Sequence, residues 1–241
     1  TTSGGSTTTT TLPTSNYWRE LKPTGTTPSA RKATMVYLAG AGPVIMIGGQ
    51  DTAEGALSDT WRYDPATNTW TELAPSGTEL TGRWGSAAAY DSVRGKVIVF
   101  GGYGAGYLRD TWEYDPTAEA WTQLQPAGRL PAARQGHSLV YDSLRGKAIM
   151  FGGYDGDYLS DLWEYDPATN SWSELRPAGA LPGPRHGHTM FYDPLSGRPV
   201  LFGGQLSSGT TNDMWEYDAS TNKWMKVYPS GSAPSARVAH A

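Results

Sequence analysis

The stretch VIVFGGYGAG, Val97 to Gly106, is an apolar run that ends in clustered glycines. One reading is a phosphate-binding loop, because Gly101 to Gly106 matches the G-x-x-x-x-G half of a P-loop. Tyr107 and Leu108 stand where that loop needs Lys and Ser or Thr. The half of the motif that reaches phosphate and magnesium is missing. Aligning the chain with itself gives the second reading. IMIGGQ, IVFGGY, IMFGGY and VLFGGQ put glycine pairs at 48/49, 101/102, 152/153 and 203/204, at offsets of 53, 51 and 51 residues. A recurring pair is architecture, and a period near 50 points to propeller blades or a solenoid.

The rest of the period supports strands. DTWRYDP, DTWEYDP, DLWEYDP and DMWEYDA hold Trp61, Trp112, Trp163 and Trp215 in one phase, and Trp70, Trp121, Trp172 and Trp224 follow nine residues later. KVIVF is a continuous apolar run, as a strand buried on both faces requires. TWEYD alternates, with Trp112 and Tyr114 on one side and Glu113 on the other. DPATNTW and its copies are turns in which Pro presets the backbone and Asp and Asn cap it. YDSVRGK and YDSLRGK are hairpin connections with Gly at the left-handed position. An arginine marks the start of each unit: Arg31, Arg83, Arg134, Arg185 and Arg237. Each unit reads as four short antiparallel strands, and no stretch reads as helix.

The Gly pair after an apolar strand, the Asp before the first Trp, the Tyr-Asp, and the second Trp followed by Leu together resemble the Kelch repeat. The resemblance covers residues 17–241 and recurs four times. It implies an all-β fold, a Kelch-type β-propeller in which the first strand of each blade lines the channel and the fourth lies outermost. Four complete four-stranded blades are expected at about 29–75, 81–126, 132–177 and 183–229, with partial strands at both ends. YWREL, 17–21, matches an outer strand, and ARVAHA, 236–241, matches the start of an inner one. That leaves an open count. A longer propeller of five to seven blades, four blades closing alone, and copies completing one another by strand exchange all satisfy it. Residues 1–16, rich in Thr, Ser and Gly, are expected to be a flexible linker or stalk. Such tethers suggest a secreted or cell-surface protein. The first residue is Thr1, so a processed product or an excerpt of a longer protein is expected.

Composition narrows the function classes. The chain has 241 residues, net charge -4 and no cysteine. Disulfides, zinc-thiolate sites and thiol catalysis are excluded, as is the cross-linked Cys–Tyr chemistry of the copper oxidase among Kelch-like propellers. Mild acidity without a basic cluster argues against nucleic acid. No apolar run reaches the roughly 18 residues of a spanning helix, so no membrane insertion is expected. No G-x-S-x-G or H-E-x-x-H occurs, and no cofactor is expected.

A repeat protein supplies its own control, since what recurs in every unit is scaffold. Asp59, Asp110, Asp161 and Asp213 are read as acceptors for turn N–H groups, and the arginines as partners of carboxylates between blades. Variation falls in the loops after the Gly pair and before the inner strand, which a four-strand blade places on one face. Loops on a rigid frame carry binding. The binding-face candidates are Trp84, Tyr103, Tyr107, Arg109, Asp155, Asp157, Tyr158, His137, His186 and His188, with Tyr154 in the same loop set. A metal on the histidines is a weaker reading than scaffold, because Arg-x-x-His and Arg-x-Gly-His are common scaffold in Kelch-like repeats, and calcium at Asp155–Asp157 is weaker than a polar turn, because the spaced oxygen ligands of a calcium loop are absent. A protein partner is expected, with further copies of the chain or a carbohydrate as other partners. The rival functions are a self-assembling subunit and a carbohydrate-active or metal-assisted enzyme.

Overall fold

The computed structural model describes residues 20–40, 42–53 and 55–239. No helix occurs among them, and strands form four sheets, each with four consecutive antiparallel strands, to which one short strand adds in parallel at the outer edge of the second. Sheet one holds β1 (Lys32–Tyr37), β2 (Val44–Gln50), β3 (Ala56–Asp64) and β4 (Thr69–Leu73). The two-residue β5 (Ser76–Gly77) leads to sheet two: β6 (Ala87–Asp91), β7 (Lys96–Tyr103), β8 (Tyr107–Asp115) and β9 (Ala120–Leu124). Sheet three is β10 (Ser138–Asp142), β11 (Lys147–Tyr154), β12 (Tyr158–Asp166) and β13 (Ser171–Leu175). Sheet four is β14 (Thr189–Asp193), β15 (Arg198–Leu206), β16 (Gly209–Asp218) and β17 (Lys223–Val227). This is the propeller arrangement that the repeat predicts.

Alternation along each strand sends side chains to both faces, and neighbouring sheets bury them against each other. Val97 and Val99 of β7 join Ile45 and Ile47 of sheet one with Trp112, Tyr114 and Trp121. Ile98 and Phe100 join Trp163, Tyr165 and Trp172 of sheet three. Ile149, Phe151 and Leu162 join Trp215, Tyr217 and Trp224 of sheet four. Four sheets thus share three apolar cores among the described residues. Inner strands pack in the order β1, β6, β10, β14, and no comparable packing joins β14 back to β1.

The glycine pair is a β-bulge, and its purpose is connection between sheets. Register shifts between Phe100 and Gly102, and both glycines adopt positive φ, 60° and 105°. A Cβ on Gly101 would lie 2.8 Å from the Arg134 carbonyl of sheet three. The bulge frees the Gly101 carbonyl to accept from Arg83 Nη1 at 3.0 Å. The Gly102 N–H donates to the Arg134 carbonyl at 2.8 Å. The glycines therefore face protein partners on both sides, and no phosphate cradle forms.

The arginines behave differently from the expectation. Arg83, Arg134 and Arg185 are fully buried. Each is paired within its own sheet, with Asp110, Asp161 and Asp213 respectively. Arg83 reaches both Asp110 oxygens at 2.8 Å, and the same carboxylate accepts the Trp112 indole N–H at 2.6 Å. The aspartates are guanidinium and indole acceptors instead of turn caps. The cause is position: Asp and Trp two residues apart share one strand face, directly below the arginine. Burial alone would raise the Asp110 carboxyl pKa, but hydrogen bonding and charge from Arg83 outweigh it and hold it below the ordinary value.

The end pieces carry no strand among the described residues. Glu20 and Leu21 lie in irregular chain, as do 236–239. An inner and an outer strand are not neighbours in a four-strand sheet, so the two pieces have no ladder to join. They keep the path of the repeat even so. The Asn68 amide donates to the Lys22 carbonyl, as Asn170 does to Gln125. Gly204 N–H donates to the Arg237 carbonyl at 2.9 Å, as Gly102 does to Arg134. The 1–16 stretch and the 17–19 part of the first end piece lie outside the described residues, as do His240 and Ala241.

Candidate functional site

The two variable loop sets meet through single antiparallel bridges. Trp84 pairs with Tyr103, Gln135 with Tyr154, and His186 with Gln205. Each bridge ties the segment before an inner strand to the residue just after a glycine pair. Tyr107 and Tyr158 open β8 and β12 directly opposite Tyr103 and Tyr154. Five of these six positions in sheets two and three carry aromatic rings, Gln135 being the exception. Sheet one has Lys32, Gln50 and Ala56 in the corresponding places.

The consequence is one continuous row of rings. Centroids lie 5.5 Å apart for Trp84–Tyr103, 5.1 Å for Tyr103–Tyr107 and 6.2 Å for Tyr107–Tyr154. The row goes on at 5.4 Å for Tyr154–Tyr158 and 5.4 Å for Tyr158–His186. Contacts of this kind are the tilted and edge-to-face geometries that aromatic quadrupoles favour. All six rings are half-buried, so each is fixed by its neighbours and still shows an edge or face to solvent. Burial, then the neighbouring Tyr154, Tyr103 and Asp155, raise the Tyr107 phenol pKa, which favours its neutral form. Burial lowers the pKa of the terminal His186, which favours a neutral imidazole.

The other candidates lie around or below this row. Arg109 is exposed on β8. Asp155 and Asp157 form the turn between β11 and β12, where the Asp155 carboxylate accepts the Asp157 N–H at 3.2 Å. That bond makes the pair a turn device with one exposed carboxylate. His137 and His188 do not reach the surface at all. They are 5% and 6% exposed and lie edge-on to Phe100 and Phe151 at 5.6 Å and 5.5 Å. By strict geometry no ring nitrogen of either residue makes a hydrogen bond, and only a weak backbone contact with Phe100 or Phe151 opposes the effect of burial. Burial, and then the adjacent Arg134 or Arg185, pushes both pKa values down to about 3. Each imidazole fills the space above the preceding sheet's glycine pair, a core position that the sequence reading placed on the binding face. Among the described residues no group of three His, Asp or Glu side chains is arranged to hold a metal. No helix there is long and apolar enough to cross a membrane.

Sequence reading found the tyrosines singly and missed their continuity. The signal was present: Trp84 and His186 share one repeat position, and Tyr103 and Tyr154 share another. Only the bridges between those positions show that the rings touch.

Comparison with known proteins agrees with the repeat. The family model for the KLHDC2/KLHL20/DRC7 Kelch-repeats domain matches residues 6–194. The chain is similar to human Host cell factor 2, with 30% identity over 92% of this chain and 30% of that protein. It is similar to human Kelch domain-containing protein 3, with 27% identity over 80% of this chain and 53% of that protein. The worm Host cell factor homolog hcf-1 is 29% identical over 76% of this chain and 26% of that protein. The chain spans about half or less of the length of these relatives. With glycine bulges, buried Arg–Asp pairs and aromatic interfaces repeated sheet by sheet, the chain belongs to the Kelch-repeat family.

Proposed function

We propose that the chain is a non-enzymatic interaction module that binds a protein partner through the loop face of sheets two and three. The observation that carries this reading is the row from Trp84 to His186. Rigid aromatic rings with exposed polar tips are the side chains that dominate protein interfaces, because they bring large contact area at low entropic cost. Sheet one has none of these rings and sheet four only His186 on the same frame, so the rings are additions to the scaffold. The frame takes up the recurring charges in internal pairs, and no group of three His, Asp or Glu side chains among the described residues is arranged to hold a metal. Placement on a secreted or cell-surface protein rests on the Thr/Ser/Gly-rich stretch 1–16.

The test is photo-crosslinking from position 107 or 158 in the native host, with position 144 as control. Leu144 is 78% exposed on a hairpin between the first two strands of sheet three, away from the bridged loops. A protein adduct formed from 107 or 158 and absent from 144 is expected. Tyr107→Ala should then weaken the purified complex by about 30-fold, the size of a central hot spot. Crosslinks from 144 alone, or only to glycans, overturn the reading.

A further inference from the structure

The turns between the second and third strands of sheets two and three differ in one respect. Sheet two runs Tyr103-Gly104-Ala105-Gly106-Tyr107, and sheet three runs Tyr154-Asp155-Gly156-Asp157-Tyr158. The same backbone bond closes both. Gly104 N–H donates to the Gly106 carbonyl at 3.0 Å, and Asp155 N–H to the Asp157 carbonyl at 3.3 Å. Sheet two makes this turn with no side chain larger than a methyl group, so the fold does not require the two carboxylates of sheet three. Asp155 accepts one N–H of its own turn, and no cation pairs with either carboxylate among the described residues, Arg109 included. Carboxylates of the frame are different: Asp110 and Asp161 hold buried arginines, and Glu113 and Asp166 hold Arg94 and Lys147.

The unpaired charges stand beside the aromatic row. Tyr154 and Tyr158 bracket them and face each other across the ladder, with rings 5.4 Å apart at 71°. Tyr107 meets Tyr154 at 6.2 Å and 67°, and the Asp155 charge acts on the Tyr107 phenol. Three rings and two carboxylates therefore converge on one turn. Ring faces are electron-rich, so both kinds of group favour positive charge and neither favours an anion.

We propose that this turn is the part of the loop face that takes a cationic side chain, arginine or lysine, from the protein partner. The inference rests on the loop face being the binding surface and adds the chemistry of what is bound. The cation lies over a tyrosine face, within about 6 Å of the ring centroid, and its N–H groups donate to the exposed Asp157 carboxylate. A calcium ion needs six to eight oxygens, and two carboxylates, one already engaged in its turn, do not supply them. An acidic peptide or a phosphate meets like charge here. The row thus has a direction, with the cation at the sheet three end and neutral contact at the Gly-Ala-Gly turn of sheet two.

The probe is the capped peptide Gly-Gly-Arg-Gly-Gly, with lysine or neutral citrulline replacing arginine in parallel samples. Each is titrated into the full chain, and NMR shifts of the tyrosine rings report binding. The arginine and lysine peptides should bind about tenfold more tightly than the citrulline peptide. That preference should shrink as salt rises from about 0.05 M to about 0.5 M. Asp155→Gly/Asp157→Gly installs the turn that sheet two already forms, so it should fold normally and reduce the preference to about twofold. Equal binding of the citrulline peptide, no binding of any of the three, a preference that survives Asp155→Gly/Asp157→Gly, or displacement of the peptide by calcium at about 1 mM overturns the proposal. A protein photo-adduct from position 107 that persists undiminished in Asp155→Gly/Asp157→Gly overturns this subsite and leaves the loop face standing. Absence of any adduct from 107 and 158 in the native chain removes the loop face itself.

Discussion

Mild acid should destabilise this protein, and two buried histidines should be the reason. His137 and His188 titrate near 6.5 in an unfolded chain and at about 3 in place. Between those values the unfolded state binds more protons than the folded one. Stability is therefore complete above about pH 6.5 and falls as the pH drops below it. Each pH unit costs about 1.4 kcal/mol per group. At pH 5 each histidine has lost about 2 kcal/mol, and the two together about 4 kcal/mol, against a typical total of 5–15 kcal/mol. That figure needs only folded values well below 5. The aspartates do not blur the window. Burial raises Asp110 and Asp161, but pairing with Arg134 or its equivalent outweighs it and lowers both from 3.8. Their stabilisation is present above that value and is lost only below about pH 4. The assay is urea denaturation at pH 7, 6 and 5 on the native chain and on His137→Leu/His188→Leu. At neutral pH the double variant should be near native stability, because the imidazole nitrogens have only weak backbone contacts to lose. It should also be nearly flat between pH 7 and 5, with a small residue from His186, whose burial lowers its pKa in the same sense. An unchanged pH dependence in the double variant would refute the reasoning.

Three further outcomes follow from the repeated frame. Arg134→Met leaves the Asp161 carboxylate and the Gly152 carbonyl without their buried donor, and should cost about 3–5 kcal/mol by denaturant titration; a loss under about 1 kcal/mol would show the pair to be dispensable. Gly152→Ala puts a Cβ 2.7 Å from the Arg185 carbonyl and 3.2 Å from that of Leu159, so it should destabilise severely, by several kcal/mol. Gly128→Ala, at φ 83° with nothing within 4 Å, should cost only about 1 kcal/mol, and similar melting points for the two would remove bulge crowding as the explanation. Glu119→Asn should stabilise by about 1 kcal/mol, raising the melting temperature. Tyr63, Tyr165 and Tyr217 each donate to an Asn Oδ1 at 2.9 Å. Tyr114 faces Glu119 instead, its hydroxyl is unpartnered, and burial followed by the Glu119 charge pushes its pKa up to about 12.

Periodicity carried most of the fold. Four copies of an apolar run, a Gly pair and two tryptophans define strand order, because antiparallel neighbours in sequence pair in space. The Arg–Asp pairs were half legible: both residues recur, but their meeting depends on the bulge that turns the first glycine's carbonyl toward the guanidinium. His137 and His188 misled because a polar residue near a variable loop reads as surface. Arg134 and Arg185, three residues before them, are already fully buried, and the chain from there runs inward. The aromatic row needed contacts across loops, which spacing along one chain does not encode. The tyrosines were visible, and their adjacency was not.

The bonds between sheets also say how such a chain can change length. Gly136 N–H donates to the Gly85 carbonyl, Gly187 to Gly136, and Ala239 to Gly187, at 2.7, 2.7 and 2.8 Å. Every module offers the same socket that it plugs into. A duplicated stretch of 51 residues, the spacing of the later glycine pairs, would find both junctions already made. Growth by whole modules is therefore the gentle route for this architecture.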